Sequence, residues 1–342
     1  MVLKLSILDQ SPIPEGATGG TALANSIDLA RLGERLGYHR YWVAEHHGSP
    51  ALAGAAPEVL LAAIGAATSR IRIGSGGIML PHYSPLKVAE TFSLLAGLYP
   101  GRVDLGLGRA PGSDQRTAFA LQRDRRQQAQ NDFPNQLAEL IAYFDDALPT
   151  DHPFAALAKT LPGRPELPEV WMLGSSPDSA GWAAEVGLPY CVADFINSRG
   201  APLAGQYQHQ FQPSARLAAP YTMTALWTVA ADTDAEAERL AASARMMMAH
   251  LVAGRSIPVP SPEKALAWLA ENPQVAGGPG RRVIAGTPAN VRRGVEAAAA
   301  EYGADEVMLV NILYDHQARR RSYELVAAAF GMTASEPQAV AA

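Results

Sequence analysis

Residues 40–47 read RYWVAEHH: Arg40, Tyr41, Trp42, Val43, Ala44, Glu45, His46 and His47. The run starts as an aromatic and β-branched strand and stops abruptly in a carboxylate and two imidazoles. A strand that hides apolar side chains and then presents ionisable groups at its C-terminal end fits an α/β barrel, where the chemistry sits at the C-terminal rim. The reading of the chain therefore turns on whether its other strands end the same way.

Working outward, eight strand-like runs are expected, at residues 4–8, 40–44, 71–78, 103–107, 169–173, 189–193, 222–229 and 306–311. Most are continuously apolar rather than alternating, as parallel strands covered on both faces are. Helical segments are expected between them, at 22–36 with Gly37 as C-cap, 57–67, 85–98 opening on Pro85, 127–148, and 176–186 ending at Gly187. Eight alternating β and α segments predict a (β/α)8 TIM barrel with insertions. One domain over residues 1–332 is expected, with a frayed tail at 333–342. Two stretches break the rhythm. Residues 149–168 are proline-rich and read as a surface excursion. Residues 255–283 should hold a helix capped by Ser261 with Pro262 at its first position, followed by a mobile Gly-Gly-Pro-Gly run, the composition of a lid or of disorder. Thr287 and Pro288 should open a further helix.

Composition narrows the function classes. The net charge of −5 is mild and scattered, so no basic face for nucleic acid is expected. The single cysteine, Cys191, excludes an intrachain disulfide and suits a reducing compartment. No signal peptide and no run near the ~20 apolar residues of a membrane span are seen, so a cytoplasmic protein is expected.

The strand ends carry the chemistry. In the third, IRIGSGGIMLPHYSP, Gly74, Gly76 and Gly77 pack nothing, which serves either close packing or a flat ligand laid on bare backbone. In the fourth, RVDLGLGRAPGSD, Arg109 follows Gly106 and Gly108. It either closes a salt bridge or grips an anion, since guanidinium matches phosphate in a bidentate way. The fifth ends in Gly174, Ser175 and Ser176 just before a helix, either a plain N-cap or a phosphate seat. GLGRAPG is not the dinucleotide fingerprint GxGxxG, because Pro111 intervenes and the third glycine comes late. No GxxxxGK[ST] loop is present. A metal at Glu45-His46-His47 is not expected, because adjacent strand residues face opposite ways.

Taken in register, WVAEHH, RIRIGSGGIMLPHYSPLKVAETFSLLAGLYPGRVDLGLGRAPG, LGSSPDSAGWAAEVGLP and VIAGTP resemble the bacterial-luciferase-like flavin monooxygenases over nearly the whole chain. The single-polypeptide members, including oxygenases of antibiotic pathways, are the nearer look-alikes. The resemblance implies a usually homodimeric barrel that binds FMN at its C-terminal mouth. It implies Glu45 near the flavin and His46 assisting the oxygen chemistry. It also implies a non-prolyl cis peptide at Gly76-Gly77 beneath the ring, and Arg109, Gly174, Ser175, Ser176 and Ser179 around the phosphate. Ser175 stands where the luciferase catalytic subunit has a glutamate.

The activity so implied is oxygenation of a small organic substrate, such as an aldehyde or an aromatic polyketide. Reduced FMN, supplied by a separate reductase, would react with O2 through a flavin C4a-hydroperoxide, with His46 moving protons because an imidazole titrates near neutrality. Met79, Tyr83, Phe195 and Trp227 are candidate substrate-side residues, or plain core. An F420-dependent hydride transfer and a non-catalytic flavin-binding partner subunit stand as the other readings.

Overall fold

The computed structural model describes residues 3–109, 114–121, 132–273 and 282–333. Among the described residues, nine strands occur in the order β1 (Lys4–Asp9), β2 (Arg40–Val43), β3 (Arg72–Met79), β4 (Val103–Gly108), β5 (Glu169–Gly174), β6 (Tyr190–Val192), β7 (Thr222–Ala230), β8 (Val283–Gly286) and β9 (Glu306–Val310). The described helices are α1 (Gly19–Leu36), α2 (Pro57–Ala67), α3 (Pro85–Leu98), α4 (Gln115–Leu121), α5 (Phe133–Asp145), α6 (Pro177–Glu185), α7 (Ala201–Gln210), α8 (Asp234–Val252), α9 (Pro262–Glu271), α10 (Pro288–Tyr302) and α11 (His316–Ala329). Neighbouring strands pair in parallel from β1 to β7, β7 pairs with β9, and β9 returns to β1. The result is a closed eight-stranded parallel barrel clad in helices, the (β/α)8 barrel that the strand pattern predicts.

The unbroken apolar runs follow from burial on both faces. Outward residues such as Ile7, Tyr41, Val43, Ile73, Leu105 and Leu309 join the helix-facing core. Inward residues of the barrel strands, Leu8, Trp42, Trp171, Met223, Ala225 and Met308, fill the barrel. Trp42 and Trp171 meet edge-on across the interior at 5.2 Å.

At the N-terminal ends the barrel is plugged by charge. Arg40, 4% exposed, reaches Asp104 at 2.9 Å and Glu306 at 3.2 Å and lies over the Trp171 ring. Arg72 shares the Asp104 carboxylate, and Tyr221 and Ser6 donate to Glu306. These ions are tolerable inside because each finds partners.

Where the structure departs from the sequence reading, the reasons are local. The ninth strand, β8, was not foreseen. It exists because β7 has nine residues and β6 only three. The overhanging Trp227–Ala230 half of β7 needs backbone partners, and β8 supplies them. The stretch 149–168, read as a surface excursion, is anchored at its C-terminal part. Gly163 presses on the Ser93 carbonyl, and Arg164 donates to the Tyr143 and Phe144 carbonyls at the end of α5. The expected helix at 127–148 is shorter, Phe133–Asp145, and 127–131 lie outside the described residues. In the 255–283 stretch, Ser261 caps α9 with Pro262 at its first turn, as read. Val259 is fully buried and hydrogen-bonded to the Ile13–Glu15 backbone, so this half is pinned to the segment after β1. The Gly-Gly-Pro-Gly run and the 334–342 part of the tail lie outside the described residues.

Candidate active site

The C-terminal barrel mouth collects three groups of side chains. The first is built by the end of β2. Regular pairing stops at Val43, and residues 48–55 fold back so that His46 N donates to the Gly54 carbonyl at 2.8 Å and Ala53 N to that of Ser11 at 2.9 Å. Glu45 is fully buried. Its carboxylate sits 2.6 Å from His47 Nε2 and accepts from Met79 N at 2.8 Å and Tyr83 Oη at 3.0 Å. Glu45 is thus the knot joining β2 to the turn after β3. The His47 ring stands edge-on to that of His82 in the same turn, centroids 5.9 Å apart. Glu58, in the first turn of α2, has its carboxyl pushed up by burial and by the nearby Glu45 charge.

His46 takes no part in this knot. Its alternation partners Trp42 and Ala44 face the barrel interior. Its Nδ1 is buried with no hydrogen-bond partner among the described residues, and burial, aided by the His47 charge, pushes its pKa down to about 4. The expected near-neutral titration is therefore displaced. His46 is a neutral imidazole at pH 7, because nothing there compensates a buried positive charge.

The second group lies at the ends of β4 and β5. Arg109 Nη1 donates to Asp178 Oδ2 at 2.9 Å, and its guanidinium lies over the Trp182 ring, both acceptors belonging to α6. Ser176 caps α6 in a reciprocal capping box with Ser179. The Ser179 hydroxyl donates to the Ser176 carbonyl at 2.8 Å and lies 3.0 Å from Tyr190 Oη, and it fills the space a Cβ at Gly174 would take. Ser176 and Ser179 thus shape the turn. The Ser175 hydroxyl has no hydrogen-bond partner among the described residues. Ser175 directly precedes the Ser176 cap of the helix whose first turn holds the Arg109 partner Asp178.

The third group is apolar. Trp227 and the half-buried Phe195 pack with Ala51, Met247, Val259 and Ile312, and the indole Nε1 of Trp227 is buried with no partner among the described residues. Met79 and Tyr83 are not in this cluster; Tyr83 is tied to Glu45, and Met79 Sδ lies beside Gly108. The four substrate-side candidates therefore fall in two places.

The Gly76-Gly77 peptide is cis, as the resemblance implied. The β3 glycines answer to the barrel itself. A Cβ on Gly74 would sit 2.6 Å from both Asp104 Cβ and Trp42 Nε1, and one on Gly76 2.5 Å from Leu8 Cδ1. One on Gly77 would meet the Gly106 carbonyl at 2.7 Å. The close neighbours are strands and interior side chains.

The model of the luciferase-like monooxygenase family matches residues 3–306. The chain belongs to the luciferase-like monooxygenase family. A luciferase-like monooxygenase of Escherichia coli K12 is 42% identical over 326 residues, covering 94% of this chain and 96% of that protein. The N-acetyl-S-alkylcysteine monooxygenase of Bacillus subtilis 168 is 37% identical over 329 residues, covering 95% and 97%. The crystal structure of apo-MsnO8 superposes with a TM-score of 0.86 at 38% identity, covering 97% of this chain and 98% of that one. More distant structures share the fold. One is the oxygenating constituent of 3,6-diketocamphane monooxygenase from Pseudomonas putida in complex with FMN, TM-score 0.71 at 18% identity, covering 96% and 97%. Another is an F420-dependent secondary alcohol dehydrogenase with an F420-acetone adduct, TM-score 0.70 at 16% identity, covering 96% and 99%.

In this luciferase-like chain, sequence reasoning named His47 at the strand end without giving it a role, and missed His82, Glu58 and Asp178. A spacing signal existed for His47, since residues i and i+2 share a side where a strand continues. None existed for the other three, which arrive from separate segments.

Proposed function

We propose that this chain is a flavin-dependent monooxygenase that uses reduced FMN and O2 to place one oxygen atom on a small organic substrate. The observation that carries the reading is the setting of Arg109. The Arg109 guanidinium is held against Asp178 in the first turn of α6, and Ser175 immediately precedes the Ser176 cap of the same helix. That donor set suits a phosphate monoester, through bidentate charge-assisted bonds and the positive end of a helix dipole. A phosphorylated flavin fits it better than an unphosphorylated one.

When bound, reduced FMN supplies the chemistry with O2. The protein's own tasks follow from its residues. Arg109, Ser175 and the backbone of the Gly174–Ser176 turn hold the phosphate. The bare β3 backbone at Gly76 and Gly77 supports the ring. His46, neutral and unpartnered at Nδ1, holds or passes a proton at that atom without placing a charge in a dry site. Glu45 fixes the wall made by Met79 and Tyr83. Trp227 and Phe195 face the organic substrate. The N-acetyl-S-alkylcysteine monooxygenase relative makes alkyl thioethers the first compounds to try. A homodimer and a separate flavin reductase complete the proposed system.

Anaerobic fluorescence titration with FMN and with F420 tests the reading, followed by mass spectrometry of products formed from FMNH2 and labelled O2. Tight FMN binding and one labelled oxygen atom in the product are expected. Preference for F420 with indifference to O2 would replace it with hydride transfer, and flavin binding without any O2 consumption would leave a partner subunit.

A further inference from the structure

We infer that Asp178 is a built-in competitor for the flavin phosphate, a carboxylate that occupies Arg109 and sets how tightly FMN is held. This rests on the phosphate reading above. Three observations lead to it. Arg109 is engaged: Nη1 donates to Asp178 Oδ2 at 2.9 Å while the guanidinium is steadied over Trp182. Asp178 belongs to the first turn of α6, just past the Ser176 cap, so its negative charge sits where an anion would profit from the helix dipole. Its side chain is 58% exposed and borders an open cleft of about 520 Å3 along α6 and α7, lined by Trp182, Gln206 and Gln210. The carboxylate therefore has somewhere to go when displaced.

The exchange balances simply. One charge-assisted hydrogen bond from Arg109 to a carboxylate is broken, one or two to a phosphate are formed, and the carboxylate returns to water. Because a solvent-exposed ion pair is weak, the phosphate wins, but against a cost that a neutral residue would not impose. Phosphate and Asp178 also repel one another at the same helix end. The consequence is a flavin site tuned toward exchange rather than retention, as suits a protein that must take in reduced FMN and let oxidised FMN go.

The experiment is calorimetric titration of the full chain with FMN and with riboflavin, for the wild type, Asp178→Asn and Arg109→Ala. Asp178→Asn should tighten FMN on the order of fivefold and leave riboflavin unchanged. Arg109→Ala should bring FMN down toward riboflavin, and Asp178→Asn added to it should gain less than in the wild type. FMN binding to the wild type that Asp178→Asn leaves unchanged, weakens, or strengthens equally for riboflavin would overturn the role of Asp178 while leaving the flavin reading intact. Wild-type affinity equal for FMN and riboflavin would overturn it too, since no phosphate is then gripped. Absence of FMN binding in every form would remove both readings together. A structural role for Asp178 alone would not discriminate the two flavins.

Discussion

Glu45 pairs with His47, 2.6 Å away, and not with its neighbour His46. The two histidines are therefore placed in different electrostatic settings. One is held against a buried carboxylate, and the other is half-buried, its buried Nδ1 without a partner among the described residues, and kept neutral.

Glu45→Gln should keep the fold and lose function. The amide leaves only one acceptor oxygen for the three groups that Glu45 now serves, His47, Met79 N and Tyr83. Stability should fall by about 1–3 kcal/mol for the unsatisfied buried donor, and O2-coupled turnover by roughly 10–100-fold as the wall after β3 loosens. Chemical denaturation and oxygen-electrode rates report the two effects separately.

His46 makes a pH prediction with a definite sign. Its pKa is pushed down to about 4, so between pH 4 and its ordinary value near 6.5 the unfolded chain binds the extra proton and the folded chain does not. The contribution is fully present above about pH 6.5 and is lost as pH falls through that window toward 4. It amounts to up to roughly 3 kcal/mol. His46→Ala should flatten this part of the stability profile in urea melts, slow turnover, and leave FMN affinity nearly unchanged. A profile identical to the wild type would remove His46 from the account.

Arg40→Met is expected to destabilise the barrel by about 3–5 kcal/mol, because Asp104 and Glu306 lose a buried cation that both approach. The residue lies at the end opposite the mouth, so flavin affinity measured well below the melting temperature should hold. A large loss of affinity without a loss of stability would contradict this separation.

Gly74→Ala tests the packing role of the β3 glycines. The added methyl would lie 2.6 Å from Trp42 Nε1, which donates to Asp104 at 2.9 Å. Overpacking of this kind costs about 1–3 kcal/mol, read as a lowered melting temperature. Gly101→Ala is the control: nothing stands within 4 Å of its Cβ position, although its φ of +72° adds a backbone cost.

The barrel was legible because its strands are apolar on both faces, and that signal is local to each run. All eight barrel strands were found, and the capping of α9 by Ser261 was read from two adjacent residues. Overlooked were α4, α7, α8 and α11, which lie between or beyond those strands. The site was legible as far as its strand ends, in Glu45, His46, Arg109 and the Gly174–Ser176 turn. What those groups touch was not, because the partners come from other segments.

By itself the sequence determined the repeating β and α units, the apolar inward and outward faces, and the placing of ionisable residues at C-terminal strand ends. Each of these depends on residues a few positions apart. Only the tertiary structure decided that His47 rather than His46 pairs with Glu45, that His46 is neutral, that Arg109 meets Asp178 across 69 positions of chain, and that β7 needs an extra strand. Those outcomes depend on burial and on which distant groups closure of the barrel brings together. Desolvation and pairing energies are set by that three-dimensional environment and leave no trace in the spacing of residues along the chain.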